Sequence, residues 1–158
     1  MIDAYLIARF LHILGATVLF GTGLGIAFFM FAAHRTGETA IIAGVARLVV
    51  RADFLFTALA VLVQPLTGLW LVHLSGHFLT DGWILISLAL YLFTGALWLP
   101  VVWLQIRIRD MAMAALAGGT PLPARYDTFM RIWFWMGWPA FGAVLLIFYL
   151  MIAKPALI

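Results

Sequence analysis

The stretch "ARFLHILGATVLFGTGLGIAFFMF", residues 8–31, decides the fold. A helix needs roughly 20 apolar residues to cross a bilayer, and this run supplies more than that with almost no interruption. The exceptions are Arg9 and His12, three residues apart. Placing a cation and an imidazole inside a lipid-facing helix is costly, so each is by default a functional-site hypothesis.

Further runs of the same kind lie at about 53–74, 83–106 and 131–153, with the first extending over about 4–32. Hydrophobic residues make up 66% of the 158 positions and charged residues 9%, far from the balance of a soluble domain. The sequence therefore predicts an all-α, polytopic four-helix membrane bundle, a single transmembrane domain over residues 1–158 with the lipid bilayer as its first partner. "FAA" at 31–33 offers a leader-peptide cleavage site, but the apolar run greatly exceeds the ~7–15 residues of such a leader and no basic segment precedes it. The first helix is read as retained. Without cysteine the chain has no disulfide, thiolate metal site or iron–sulfur cluster.

Seven of the nine cationic residues, Arg35, Arg47, Arg51, Arg107, Arg109, Arg125 and Arg131, fall on one side of these spans. The positive-inside rule makes that side cytoplasmic and places both termini outside, in a multi-pass membrane protein. The basic pI is thus a topology signal; no nucleic-acid partner is expected. Between the first two spans a helix is expected to start near Glu38 and enter the membrane near Asp53. After the third span, a helix running to a Gly118-Gly119 stop and then a Pro121/Pro123 loop are expected. Trp70, Trp83, Trp133 and Trp135 read as interfacial anchors. Gly21 and Gly25 read as a small-residue contact face, within the bundle or between copies in a homo-oligomer.

The polar residues of each span recur at near-whole helical turns. Tyr5, Arg9, His12 and Ala16 share one face; Asp53, Thr57, Gln64 and Thr67 a second; Ser87, Tyr91, Thr94, Trp98 and Gln105 a third; Arg131, Trp135, Trp138 and Tyr149 a fourth. Depth counting brings His12, Gln64, Thr67 and Tyr91 to one level, with Arg9 and Ser87 above. Asp53, Gln105 and Arg131 fall at the opposite end, where an Asp53–Arg131 ion pair is expected. His12 then serves either as an interhelical hydrogen-bonding residue or as a metal ligand. In the second case Gly15 leaves room for a flat macrocycle and Arg9 pairs with a carboxylate on it. His73 is expected among the headgroups and His34 in solvent, while His77 and His73 offer a weaker alternative as an outer metal site.

The stretches "RFLHILGATVLFGTGLGIAFFMFAAH", "VQPLTGLWLV", "DGWILISLALYLF" and "LMIAKP" resemble a bacterial family of small integral membrane proteins of unknown function. That family is in turn similar to HemJ-type protoporphyrinogen oxidases and CopD-like membrane proteins. The resemblance matches Arg9 to His12 with a first-span K-x-L-H element, and Pro65 with "GLWL" at 68–71 with a second-span element. The resemblance implies haem b bound by His12 as the metal ligand, in a multi-pass protein of the bacterial inner membrane; the depth grouping then puts Arg9, Gly15, Gln64, Thr67, Ser87 and Tyr91 around it, and electron exchange with a quinone or porphyrin-type substrate is expected. The third span departs from the pattern. "GWILISL" has Ser87 where those oxidases carry a lysine, and a hydroxyl does not replace an ammonium. Two other readings follow from the same residues: a non-catalytic accessory or assembly protein whose polar stripes join helices, and a protein handling metal at its periplasmic face.

Overall fold

The computed structural model describes residues 3–156; residues 1, 2, 157 and 158 of the expected domain lie outside the described residues. Helix α1 spans Ala4–Thr36, α2 Thr39–Ala52, α3 Ala58–Ser75, α4 Gly82–Gly118 and α5 Ala124–Ala153. A π-helical turn over Asp53–Thr57 joins α2 to α3, so the two form one continuous rod from Thr39 to Ser75. Four helices are thus long and apolar enough to cross a membrane, and each expected span lies inside one of them. The chain is an all-α, four-helix membrane bundle.

The ends of the helices follow local chemistry. Asp3 accepts from the Tyr5 backbone N–H at 3.1 Å and caps α1. At the far end of α4, Gly119 adopts φ 59°, the left-handed conformation that a side chain resists, and the Thr120 N–H returns to the Ala115 carbonyl at 3.0 Å. The expected glycine stop is therefore a left-handed cap, and α5 begins directly after Pro123.

Antiparallel α4 and α5 pack along each other, α2 packs on α4, and α1 lies against α2 and α3. The main core sits at the arginine-rich end. Ile42, Ala46 and Val49 project from one face of α2 into Met30, Ile108 and Tyr126, while Arg47, Leu48 and Arg51 face outward. A smaller cluster of Trp83, Ile84 and Leu150 closes the opposite end. Between these clusters the outside of the bundle is apolar: Phe28, Leu62, Leu66 and Leu92 are each more than 60% exposed. In water a surface of this kind would aggregate, whereas in lipid it is the solvated face.

Several expectations are corrected by packing. The fourth polar stripe points outward: Arg131, Trp135, Trp138 and Tyr149 are all exposed, and α5 instead buries Tyr126, Met130, Trp133, Ala143 and Leu150. Amphipathic aromatic residues are at home at a membrane surface, so their spacing on α5 marked its lipid face. Trp70 and Trp135 are exposed as anchors would be, but Trp83 and Trp133 turn inward as core residues. Nothing lies within 4 Å of a side-chain carbon added at Gly21 or Gly25, so that face makes no close helix contact within the bundle.

Candidate functional site

The second stripe is the polar spine of the molecule. Asp53, Thr57, Gln64 and Thr67 are all buried, at spacings of three or four residues with Ala60 between them. Its upper half faces α1. The Gln64 side-chain amide donates to the His12 carbonyl at 3.0 Å, and His12 Nδ1 lies 2.9 Å from the Thr67 hydroxyl. That hydroxyl also lies 2.8 Å from the Val63 carbonyl, to which it donates. A hydroxyl has one proton to give.

Two glycines make the approach possible. A methyl group on Gly68 would sit 3.3 Å from His12 Cε1, and one on Gly15 would sit 3.2 Å from Gln64 Nε2. Gly15 therefore packs against Gln64 on one side while lining an apolar groove with Leu11, Leu14 and Val18, and Gly68 supplies the flat surface on which the imidazole rests. Sequence reasoning passed over Gly68; its position directly after Thr67 on the polar face was the available signal.

His12, Gly15, Gln64 and Thr67 come together as expected from their depth. Tyr91 reaches the same helix one turn away and donates to the Val61 carbonyl. Ser87 is buried on α4 and donates to the carbonyl of Trp83 in its own helix at 2.7 Å, with no hydrogen bond to the His12 group. Arg9 is exposed one turn from His12 on α1.

The lower half of the spine forms a separate polar group. Asp53 is only 3% exposed. The expected ion pair with Arg131 is absent: Arg131 lies outside, and the carboxylate accepts from Trp98 Nε1 at 3.3 Å. The Gln105 amide takes the one of its two orientations that satisfies both neighbours, donating to Asp53 at 3.1 Å and accepting from Trp133 Nε1 at 3.3 Å. Thr57 Oγ1 is buried without a hydrogen-bond partner.

The remaining histidines have local roles. His34 is not simply solvated; its Nδ1 is 3.1 Å from the hydroxyl of buried Tyr126. His77 Nδ1 is 3.0 Å from Asp81, and its ring meets Trp83 edge-on. Helix α3 stops at Ser75, so His73 and His77 are not on one helical face. Among the described residues no group of three or more His, Cys, Asp or Glu side chains is placed to hold a metal ion.

A family model described as predicted integral membrane protein (DUF2269) matches residues 6–155. The chain belongs to that family. The match runs through all four helices and includes the whole polar spine, His12 and Tyr91. No curated protein and no solved structure matches the chain.

Proposed function

We propose that this integral membrane protein binds haem b through His12 and exchanges electrons with a quinone-type substrate in the bacterial inner membrane. The observation that carries the reading is the 2.9 Å contact between His12 Nδ1 and the Thr67 hydroxyl. With the hydroxyl proton assigned to the Val63 carbonyl, Thr67 would accept from His12 and the ring proton would sit on Nδ1. Nε2 then keeps its lone pair, and no hydrogen bond from the described residues engages it. A metal-binding histidine needs this arrangement: one nitrogen tied by a partner that fixes the ring, the other free.

One imidazole held in this way supports the reading of His12 as a haem ligand. Iron would supply one-electron chemistry when bound. The chain's own part is to fix the imidazole between Thr67 and Gly68, and to offer Arg9 to an anionic carboxylate on the same side of α1. Quinone is preferred over porphyrinogen because Ser87 supplies no ammonium and its proton is engaged by the Trp83 carbonyl.

The test is an ultraviolet–visible spectrum of the detergent-purified protein expressed with haem supplied, before and after dithionite. A Soret band that shifts on reduction and is lost in His12→Ala, with the variant still inserted, is expected. A second reading, in which the polar spine only joins helices, is favoured by the protein partners already held by Gln64, Thr67 and Tyr91. Absence of any Soret band from the wild type would leave that reading in place.

A further inference from the structure

We infer that Asp53, Thr57, Trp98 and Gln105 form a proton-binding site inside the bundle, with Asp53 as the carrier and Thr57 as the acceptor that receives its acid proton. The inference is independent of haem binding.

A buried carboxylate must be paired, hydrogen-bonded or protonated. No cationic nitrogen lies within 4.0 Å of Asp53 among the described residues. Its surroundings supply hydrogen-bond donors. Indole Nε1 of Trp98 only donates. The Gln105 amide has its oxygen committed to Trp133, so it too presents only N–H to Asp53. These groups suit the charged form. They also disfavour a metal cation, which their N–H dipoles would repel.

Thr57 suits the other form. It follows Asp53 by four residues on the same buried face, next to the carboxyl, and its buried hydroxyl has no partner in full hydrogen-bonding geometry. Thr57 is 6% exposed, so no solvent satisfies that oxygen. When Asp53 takes up a proton, an O–H bond forms on the carboxyl and needs an acceptor. The free lone pairs of Thr57 Oγ1 are that acceptor. The intervening π-helical turn is a feature that recurs at functional sites, and both of its end residues, Asp53 and Thr57, are buried.

The surrounding elements contribute no competing charge. The buried face of α1 carries Ile26, Met30 and Ala33; Arg47 and Arg51 of α2 are exposed, as is His73 of α3. On α4, Arg107 is exposed, Arg109 pairs with Asp110, and Tyr91 is engaged by Val61. On α5, Arg131 is exposed and Tyr126 pairs with His34.

The experiment is a pH series of infrared difference spectra on the full chain reconstituted in lipid, comparing wild type with Asp53→Asn, which retains the shape of the acid. The expected result is a carboxylic-acid carbonyl band from a site shielded from water, present in the wild type and missing from Asp53→Asn. Thr57→Val should move that band to the frequency of a carboxyl without an acceptor. Trp98→Phe, which removes a donor to the carboxylate, should make it persist to higher pH. Circular dichroism checks that each variant is folded; should Thr57→Val fail to fold, Thr57→Ala serves. Wild-type spectra identical to those of Asp53→Asn throughout the series would overturn the proposal, as would a band unmoved by loss of the Thr57 hydroxyl.

Discussion

Tyr91 donates its hydroxyl proton to the carbonyl of Val61, the acceptor that Pro65 leaves without its helical N–H four residues on. In lipid no water replaces the missing donor, so a side chain from α4 does. The same bond ties α4 to α3, whose Gln64 and Thr67 contact His12.

Tyr91→Phe should therefore cost about 1–3 kcal/mol, the penalty of an unsatisfied buried polar group. Restoring the N–H with Pro65→Ala should reduce that cost, since the carbonyl regains its helical partner. Thermal unfolding of the two single variants and the double variant in one detergent measures the coupling. Strictly additive losses would mean that Tyr91 acts through something other than the proline gap.

Thr67→Val keeps the side-chain shape but removes the acceptor of His12 Nδ1. Stability should fall by about 1–3 kcal/mol, while Thr67→Ser should behave nearly as wild type. Thr67 is a positioning residue in the haem reading, and its hydrogen bond raises ligand basicity. Its loss should shift the reduction potential of the bound haem to more positive values. Lower stability with an unchanged potential would separate the packing role from the ligand role.

Much of the fold was legible because lipid imposes long uniform helices, and the glycine and proline stops are local signals. Three of the four polar stripes also point to polar contacts inside the bundle. Periodicity names a face without saying what it faces, which is why the aromatic stripe of α5 was misassigned. The Asp53–Arg131 pairing failed for a related reason: charge complementarity suggested it, but the neighbours that meet Asp53 are the N–H groups of Trp98 and Gln105. Indole and amide donors carry no charge signature in a sequence.

Glycine substitutions distinguish close helix contact from open surface. Gly15→Ala brings a methyl to 3.2 Å from Gln64 Nε2, so the amide must give by a few tenths of an ångström against its bond to the His12 carbonyl. A loss of about 1–3 kcal/mol is expected if the buried amide is left unpaired. Gly21→Ala meets nothing and should preserve the melting temperature of the isolated chain. Where Gly21 and Gly25 join two copies, Gly21→Ile should instead reduce the oligomer seen by crosslinking in membranes.

Arg131→Ala should leave stability unchanged, because the exposed guanidinium has no ion-pair partner among the described residues. Asp53→Ala should be strongly destabilising, since it strands the Trp98 and Gln105 donors within the bundle. Comparable losses in the two variants would reinstate the ion pair.

The distribution of charge supplies an expectation for orientation in the bilayer. The seven arginines from Arg35 to Arg131 flank the α1–α2 and α4–α5 connections, whereas the α3–α4 connection carries neither Lys nor Arg. Lys154 alone lies at the other end of α5, against the ring of Trp83 at 5.6 Å. Exposed Arg47 and Arg51 on α2 can remain in the headgroup region while the opposite face of that helix packs on α4. A reporter fused after Lys154 is therefore expected to be active only if it functions in the periplasm, and one inserted between Gly119 and Pro121 only if it functions in the cytoplasm. This orientation puts His12 and Arg9 near the outer leaflet. The reverse pattern would place both near the cytoplasmic leaflet, where a quinone-reactive haem would exchange protons with the cytoplasm instead.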